Sequence, residues 1–322
     1  MGVIALVRRS VTAIGILATV LCGPGIATAQ PWSEAAAAPP NAGAASTVIL
    51  SPGEPRQGLL ENLSLFAGPD GSKQPQDLGI NANMGVRAAA NLGIPLVERA
   101  KLGAQIGAAF NYSTNAVHVL DQVEGTDHRT QTFLTAGVFE RVGSTFNWGL
   151  AYDALFEHYY DDFRLGQVRG QVGFGVTASN EIGTWFTRSV RGDSGLMGST
   201  GVRLDPVNQA NVYHRHTWAN FAQTTAWVGM ANGHQNVVWV FPDNSRDRHV
   251  LVYGAQLFMP LSDRFAVTGS ANLVQPADTG TVDAYLGISF FPGRGALRAA
   301  HNVYAPLAAV ANNPEMAVDL RR

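Results

Sequence analysis

The stretch GINANMGVRAAANLGI, residues 79–94, alternates apolar and polar positions for longer than an ordinary strand. Its apolar face carries Ile80, Ala82, Met84, Val86, Ala88, Ala90, Leu92 and Ile94. Side chains of a strand point alternately to the two faces of a sheet, so this stretch predicts one long, two-faced strand. Strands in globular proteins usually have about 5 to 6 residues. Longer strands, repeated along the chain, are typical of barrels with an apolar face in lipid and a polar face in a lumen.

The first 29 residues have the order of a cleaved secretory signal. Arg8 and Arg9 precede an apolar run over residues 11–21, and the small-x-small sequence Ala-Thr-Ala follows at residues 27–29. That run is shorter than the roughly 20 apolar residues of a membrane-spanning helix. The order therefore predicts cleavage after residue 29 and export through the inner membrane. The single cysteine, Cys22, lies in this segment, so we expect no disulfide or thiolate chemistry in the mature chain.

Composition limits how the chain could cross a membrane. Hydrophobic residues make up 46% of the chain and charged residues only 14%, below the roughly 25% of a typical soluble domain. No stretch after the signal approaches about 18 consecutive apolar residues, which excludes a spanning helix there. Lipid offers no hydrogen-bond partners to open strand edges, so a membrane crossing by strands requires a closed barrel. The formal net charge of −2 gives no electrostatic reason to expect a nucleic-acid partner.

The mature chain divides into three parts. Residues 30–57 form a low-complexity Ala/Pro/Gly leader, residues 58–291 carry the strand candidates, and residues 292–322 form a C-terminal periplasmic tail. Short and long gaps alternate between the strand candidates, as in an up-and-down barrel with tight turns at one rim and loops at the other. We therefore predict an all-β, antiparallel up-and-down transmembrane β-barrel of about twelve strands, with both termini periplasmic.

Three local interpretations accompany this prediction of the fold. Residues 190–206 are taken as one long loop, because two spanning strands there would break the alternation of short and long connections. The letters Pro-Asp-Gly at residues 69–71 and Asp-Thr-Gly at residues 278–280 predict turns. The facing of the strand at residues 129–141 is left open, since Phe133 opposes apolar neighbours on the other face.

The sequence resembles an uncharacterised family of planctomycete cell-envelope proteins that are outer-membrane β-barrels of unknown function. The blocks that carry the resemblance are residues 71–83, 124–133, 146–153, 169–174, 177–183, 216–225, 276–287 and 310–322. They are distributed over essentially the whole mature chain. The resemblance implies a location in the outer membrane and supplies no catalytic residues.

Polar side chains recur on the inward face of several predicted strands. We predict that these residues line the lumen: Arg87, Asn91, Gln105, Asn111, Asp153, Arg169, Gln171, Gln223, Asn272 and Asp283. Charged groups in a packed core need partners, whereas a water-containing lumen removes that cost. Inward glycines at 103, 107, 173 and 175 would widen such a lumen. Arginines 87 and 169 set against the two aspartates would create a transverse field that screens solutes by charge.

Two functions fit this arrangement. The first is a narrow porin-like channel for small hydrophilic solutes, because about twelve strands lie between filled small barrels and open porins. The alternative is a non-conducting structural or adhesive barrel, closed by side chains, by long loops or by residues 31–57. A soluble secreted β-protein is the remaining fold alternative. Outer-membrane lipid and the barrel-assembly machinery are the expected partners, together with small hydrophilic solutes if the lumen is open.

Enzymatic and metal functions have little support. A hydrolase would need a nucleophile and a base in mutual reach, and Ser113, His118 and His128 lie where this could happen. The chain has no GxSxG elbow. His214 and His216 share one strand face, but a zinc site needs three or four converging ligands. We therefore expect no enzymatic activity, no cofactor and no metal.

Overall fold

The computed structural model describes residues 58–77, 81–116, 126–142, 145–232, 249–275, 281–299 and 301–321. The predicted signal, the leader and the predicted turn at residues 278–280 lie outside these ranges. The strands are β1 (Leu63–Lys73), β2 (Asn83–Val97), β3 (Leu102–Asn115), β4 (His128–Val142), β5 (Phe146–His158), β6 (Asp162–Gly175), β7 (Asn180–Arg191), β8 (Asp193–Met197), β9 (Thr200–Pro206), β10 (Gln209–Thr217), β11 (Gln223–Asn232), β12 (His249–Pro260), β13 (Phe265–Gln275), β14 (Thr281–Phe290) and β15 (Val318–Arg321). Short 3-10 helices occupy Leu59–Asn62, Pro75–Asp77, Glu98–Ala100 and Ala296–Arg298. In the described part of the chain, no helix is long and apolar enough to cross a membrane.

Strands β1 to β7 and β10 to β14 form one closed antiparallel barrel, which confirms the predicted fold and the count of twelve. β1 pairs with β14 and closes the ring, from Leu65 opposite Phe290 to Lys73 opposite Val282. β7 pairs directly with β10, so β8 and β9 are not part of the ring of barrel strands. They form a second sheet with β15, in the order β15-β9-β8.

The two rims of the barrel differ. At one rim, tight connections join β2 to β3, β6 to β7, β10 to β11 and β12 to β13; we call this the short-turn rim. At the opposite rim, β1 joins β2 through the 3-10 helix at Pro75–Asp77, and β7 joins β10 through β8 and β9; we call this the long-loop rim. This alternation is the one that the spacing of the strand candidates predicts.

Side chains of the barrel strands alternate between an outer face that is mainly apolar and an inner face that carries most of the polar groups. On β3, Ile106 and Phe110 are about half exposed, whereas Gln105 and Asn111 between and beside them are buried. The same contrast on β4 decides the facing that the sequence left open. Phe133 is completely buried inside the barrel, and Leu134 is exposed on the outside. The interior therefore contains large apolar groups as well as polar ones.

Two local predictions were wrong. Residues 69–71 do not turn but continue β1, because the strand pairs along its whole length with β2, where Asp70 lies opposite Gly85. Pro69 has no N–H to donate, and the pairing of β1 with β14 is interrupted at this point. The strand itself continues through the interruption. Residues 190–206 do not form a plain loop but contain the end of β7 and the β8–β9 hairpin, which turns at Gly198 with a φ of 57°. They add no barrel strand, as the parity argument required.

Candidate functional site

The barrel interior is occupied by residues 301–321, which we call the C-terminal segment. It begins at the short-turn rim, where the Asn302 side chain donates to Asn62 at 2.7 Å. It ends at the long-loop rim, where β15 pairs with β9 from Val318 opposite Pro206 to Arg321 opposite Arg203. These residues therefore do not form a periplasmic tail. Among the described residues, the chain begins with residue 58 at the short-turn rim and ends with residue 321 at the long-loop rim, and the periplasmic placement of the termini stays a prediction.

Side chains of the wall bind the backbone of the C-terminal segment. The Gln105 oxygen accepts the N–H groups of Leu307 and Ala308 at 3.1 and 3.0 Å, and its amide nitrogen donates to the Ala308 carbonyl at 3.1 Å. Asn91 donates to the same carbonyl at 2.9 Å. Buried backbone groups need hydrogen-bond partners. Here the wall side chains replace a neighbouring strand.

Two arginines extend this binding along the segment. Arg169 donates to the Ala309 carbonyl at 2.7 Å and pairs with Asp153 at 3.1 Å. Arg87 donates to the Val310 carbonyl at 3.1 Å. Its guanidinium carbon also lies 5.2 Å from the centre of the Tyr285 ring, within range of a cation–π contact. Both cations therefore bind carbonyl dipoles of the segment instead of facing open water.

Two asparagines fix the register of the segment. Asn111 donates to the side-chain oxygen of Asn312 at 2.6 Å, and Asn312 donates in turn to Asp70 at 2.7 Å. Asn313 and Gln131 exchange two hydrogen bonds at 2.9 and 3.1 Å. Ala311 and Pro314 flank the two asparagines, so a shift of the segment by one residue would leave either Asn111 and Asp70 or Gln131 without an amide partner.

Apolar packing completes the contact. Buried residues of the wall, the segment and the β8–β9 hairpin form one cluster, which includes Phe133, Leu155, Met197, Val202, Leu204, Val310, Ala311, Met316, Val318 and Leu320. The C-terminal segment thus contributes to a continuous apolar core.

Inward glycines provide the space for the segment. A Cβ on Gly149 would lie 2.9 Å from Leu307 Cδ2, and a Cβ on Gly107 would overlap Val310 Cγ2. A Cβ on Gly103 would instead meet the Phe139 ring at 2.7 Å. The sequence analysis expected Gly107 to widen an open lumen. In the structure, the space beside Gly107 is filled by Val310 of the C-terminal segment.

We expect Gly107→Ala to destabilise the protein by about 1–3 kcal/mol, because it overpacks the contact with Val310. The urea midpoint of the folded protein in detergent measures this loss. Gly201→Ala is the matched control, since a Cβ there meets nothing within 4 Å and should change stability by less than about 0.5 kcal/mol. Equal midpoints for the two variants would contradict the tight fit of the segment.

A buried polar network lies at the long-loop rim. Arg129 and Glu157 pair at 2.9 Å, and both side chains are fully inaccessible to solvent. Asp77 accepts hydrogen bonds from Asn83 at 2.6 Å and from the Tyr159 hydroxyl at 3.2 Å. Burial raises the pKa of the Asp77 carboxyl and also that of the Tyr159 hydroxyl above their usual values. Together with the β8–β9–β15 sheet, this network closes the barrel at this end.

Within the described structure, two cavities lie beside the C-terminal segment and share part of their lining. One cavity of about 90 Å³ lies beside Ala309 and Glu315, and a second of about 180 Å³ lies beside Ala305 and Ala308. Small-molecule sites usually measure about 300–1,000 Å³. These cavities can hold ordered water or a small ion, and neither forms an open channel of porin width.

The ten predicted lumen residues all lie on the inner face of the barrel. Five of them bind the C-terminal segment directly, namely Arg87, Asn91, Gln105, Asn111 and Arg169. The other five bond within the wall or line the cavities, namely Asp153, Gln171, Gln223, Asn272 and Asp283. Arg169 and Asp153 neutralise each other directly, so they do not produce the expected transverse field.

Several binding residues were missed by the sequence analysis. Gln131 and Thr135 lie on β4, whose facing could not be decided, and Thr135 accepts the Ala311 N–H at 2.9 Å. Asp70 was assigned to a turn. Gln167 donates to the Glu315 carbonyl at 2.9 Å and lies two residues before Arg169, a predicted inward residue of β6. The strand alternation alone could have identified Gln167.

The candidate hydrolase residues are not brought together. Ser113 is buried on the inner face opposite Arg129, whereas His128 pairs with Thr114 on the outer face and bonds to Asp127. His118 lies outside the described residues. His214 and His216 both hydrogen-bond to the side-chain oxygen of Asn180, at 3.1 and 2.9 Å.

The fold and the interior together define a closed β-barrel that is filled by its own C-terminal segment. The chain belongs to the family described as Family of unknown function (DUF6666), whose model matches residues 62–318. The planctomycete source suggested by the sequence blocks stays a prediction. No functionally curated protein matches the chain.

The solved structures that match this fold include barrels with different activities. The translocator domain of the autotransporter NalP from Neisseria meningitidis covers 71% of this chain and 87% of its own, with a TM-score of 0.42 and 13% identity. The outer membrane phospholipase A from Escherichia coli covers 70% and 89%, with a TM-score of 0.39 and 8% identity. The KdgM porin covers 70% and 98%, with a TM-score of 0.36 and 9% identity. TM-scores below 0.5 assign no function to this chain.

Proposed function

We propose that this protein is an outer-membrane β-barrel with a structural role in the cell envelope, and that its C-terminal segment keeps the lumen closed. The observation that carries the proposal is the chain of wall hydrogen bonds to successive residues of the segment, from Leu307 to Asn313. A solute would have to displace these bonds and the apolar cluster around Val310 before it could pass.

The outer face supports the membrane location. Large apolar side chains are about half exposed on strands all around the barrel, among them Val86, Ile106, Phe110, Leu150, Phe174, Val212, Val228 and Leu286. Soluble proteins rarely expose continuous apolar surface of this extent. A closed ring also leaves no strand edge unpaired in lipid. In this proposal the exported chain is inserted by the barrel-assembly machinery with its short-turn rim toward the periplasm, as in other bacterial barrels.

The full-length protein is expected to give no discrete current steps in a planar lipid bilayer. Insertion is checked on the same sample, by heat-dependent gel mobility and by resistance of the barrel to protease. Reproducible steps from inserted full-length protein would remove the closed-barrel proposal. They would favour the second candidate, a narrow porin-like channel for small hydrophilic solutes.

That second candidate has one observation of its own. The two cavities share Arg215, Thr225 and Gln256 on the wall and Ala308 on the segment, so polar space runs beside the segment for part of its length. If current does pass this way, Arg215→Glu should shift its ion selectivity toward cations. Arg87→Glu and Arg169→Glu are less suitable tests, because both side chains hold the C-terminal segment.

A further inference from the structure

The larger cavity has an unusual balance of charge. Its volume is about 180 Å³, and two guanidinium groups line it, those of Arg141 on β4 and Arg215 on β10. Neutral donors complete the lining, among them Gln223, Gln256 and Ser289. Among the described residues that line this cavity there is no carboxylate. The cavity therefore combines two positive charges with polar groups and no negative charge.

Arg141 is incompletely satisfied. Its Nη2 atom donates to the carbonyls of Ala305 and Pro306 at 3.5 and 3.2 Å. Its Nε atom is buried and has no hydrogen-bond partner among the described residues. A guanidinium has five donors, and leaving a buried charge without an opposite charge is costly. Arg141 thus lines the cavity as a cation with an unsatisfied N–H group and no carboxylate in hydrogen-bond contact among the described residues.

Arg215 supplies the second cation. It pairs with Glu181 at 3.1 Å and donates from Nε to Thr225 at 3.2 Å. Glu181 also accepts a hydrogen bond from the Tyr213 hydroxyl. In the described structure around the cavity, this single carboxylate serves both guanidiniums, so one positive charge is left over.

We propose that this cavity binds a small free oxyanion, such as inorganic phosphate or sulfate, between Arg141 and Arg215. Guanidinium forks match the oxygen spacing of such anions and bind them by charge-assisted hydrogen bonds. The anion would supply the missing negative charge between Arg141 and Arg215, while Gln256 and Ser289 can donate to its other oxygens. The cavity lies beside the C-terminal segment inside the barrel, so the ligand is taken to be a free ion whose binding needs no lipid.

The site also couples to the segment. Arg141 holds the backbone at Ala305 and Pro306, at the point where the segment enters the barrel. A ligand that binds the folded state alone stabilises it by mass action. The oxyanion should therefore raise the stability of the closed barrel. This inference rests on the cavity and its charges, and it holds whether or not the barrel conducts.

The test is phosphate binding by full-length protein in an uncharged detergent. We expect a saturable rise in the thermal midpoint when phosphate replaces chloride at constant ionic strength, and a saturable heat in calorimetry. Arg141→Gln and Arg215→Gln should each weaken phosphate binding at least tenfold. Arg188→Gln, on the exposed outer face of β7, is the matched control and should bind as the unaltered protein does.

Conservative variants keep the test decisive if a neutral side chain prevents folding. Arg141→Lys and Arg215→Lys keep the charge but lose the fork, so they should fold and bind phosphate more weakly. No saturable phosphate effect on the unaltered protein would overturn the proposal. Equal phosphate affinity in the unaltered protein and in folded variants of both arginines would overturn it as well.

Discussion

A chain lacking residues 304–322 is expected to pass discrete current steps across a planar bilayer, whereas the full-length protein is expected to pass none. Removal of these residues deletes every described contact from Ala305 to Arg321 and leaves the wall side chains facing water. Twelve strands enclose more space than the eight whose interiors side chains fill. The β1–β14 closure stays intact in this variant, as does the bond between Asn302 and Asn62.

A second, full-length variant separates loss of the segment from loss of folding. Val310→Asp places a charge in the buried cluster, where it has no partner and is strongly disfavoured. It should release the segment and make position 310 accessible to protease, with current steps like those of the truncated chain. Leu297→Asp, at an exposed position of the short-turn rim, is the matched control and should give no current steps. Folded but silent barrels from both the truncation and Val310→Asp would contradict the assignment of the segment as the closing element.

Glu157→Gln is expected to lower the free energy of unfolding by about 3–5 kcal/mol. The substitution keeps the shape but leaves Arg129 as a buried cation without its nearest counter-charge. It also weakens the hydrogen bond that Gln131 donates to the same carboxylate oxygen at 2.8 Å. Urea unfolding in detergent, followed by tryptophan fluorescence, measures the change.

An exposed ion pair of the same chain provides the control. Asp263 accepts from Arg294 at the short-turn rim, where the arginine side chain is 66% exposed. Surface pairs contribute about 0–1 kcal/mol, so Asp263→Asn should change stability far less than Glu157→Gln. Comparable losses in the two variants would show that the Arg129–Glu157 pair does not hold the long-loop rim together.

The barrel wall could be predicted from the sequence because each strand carries its own evidence. Alternation on β3 and β14 shows the two faces directly, and the spacing of the strands shows the order of turns and loops. Alternation failed on β4 because Phe133 faces inward to pack against Val310 and Ala311. A lumen that holds a peptide needs apolar contacts, so its inner face does not read as purely polar.

The C-terminal segment could not be predicted by the same means. Most of it pairs with side chains of the wall instead of with a strand, so its residues keep no period of two or of 3.6. Leu307 and Val310 fit beside inward Gly149 and Gly107, whose positions depend on strand register. The letters of residues 307–311 alone resemble the low-complexity leader. The segment became visible only when Gln105, Arg169 and Arg87 were seen to bind successive residues.

The path of the C-terminal segment constrains the order in which the barrel can be assembled. This segment follows β14 in the chain, and β14 must pair with β1 to complete the ring. If the ring closed first, residues up to Arg321 would have to be drawn lengthwise through a crowded interior to reach β9. The simpler order is that the wall wraps around the segment and the β1–β14 seam forms last. In that order, the segment would act as an internal template for the curvature of the wall.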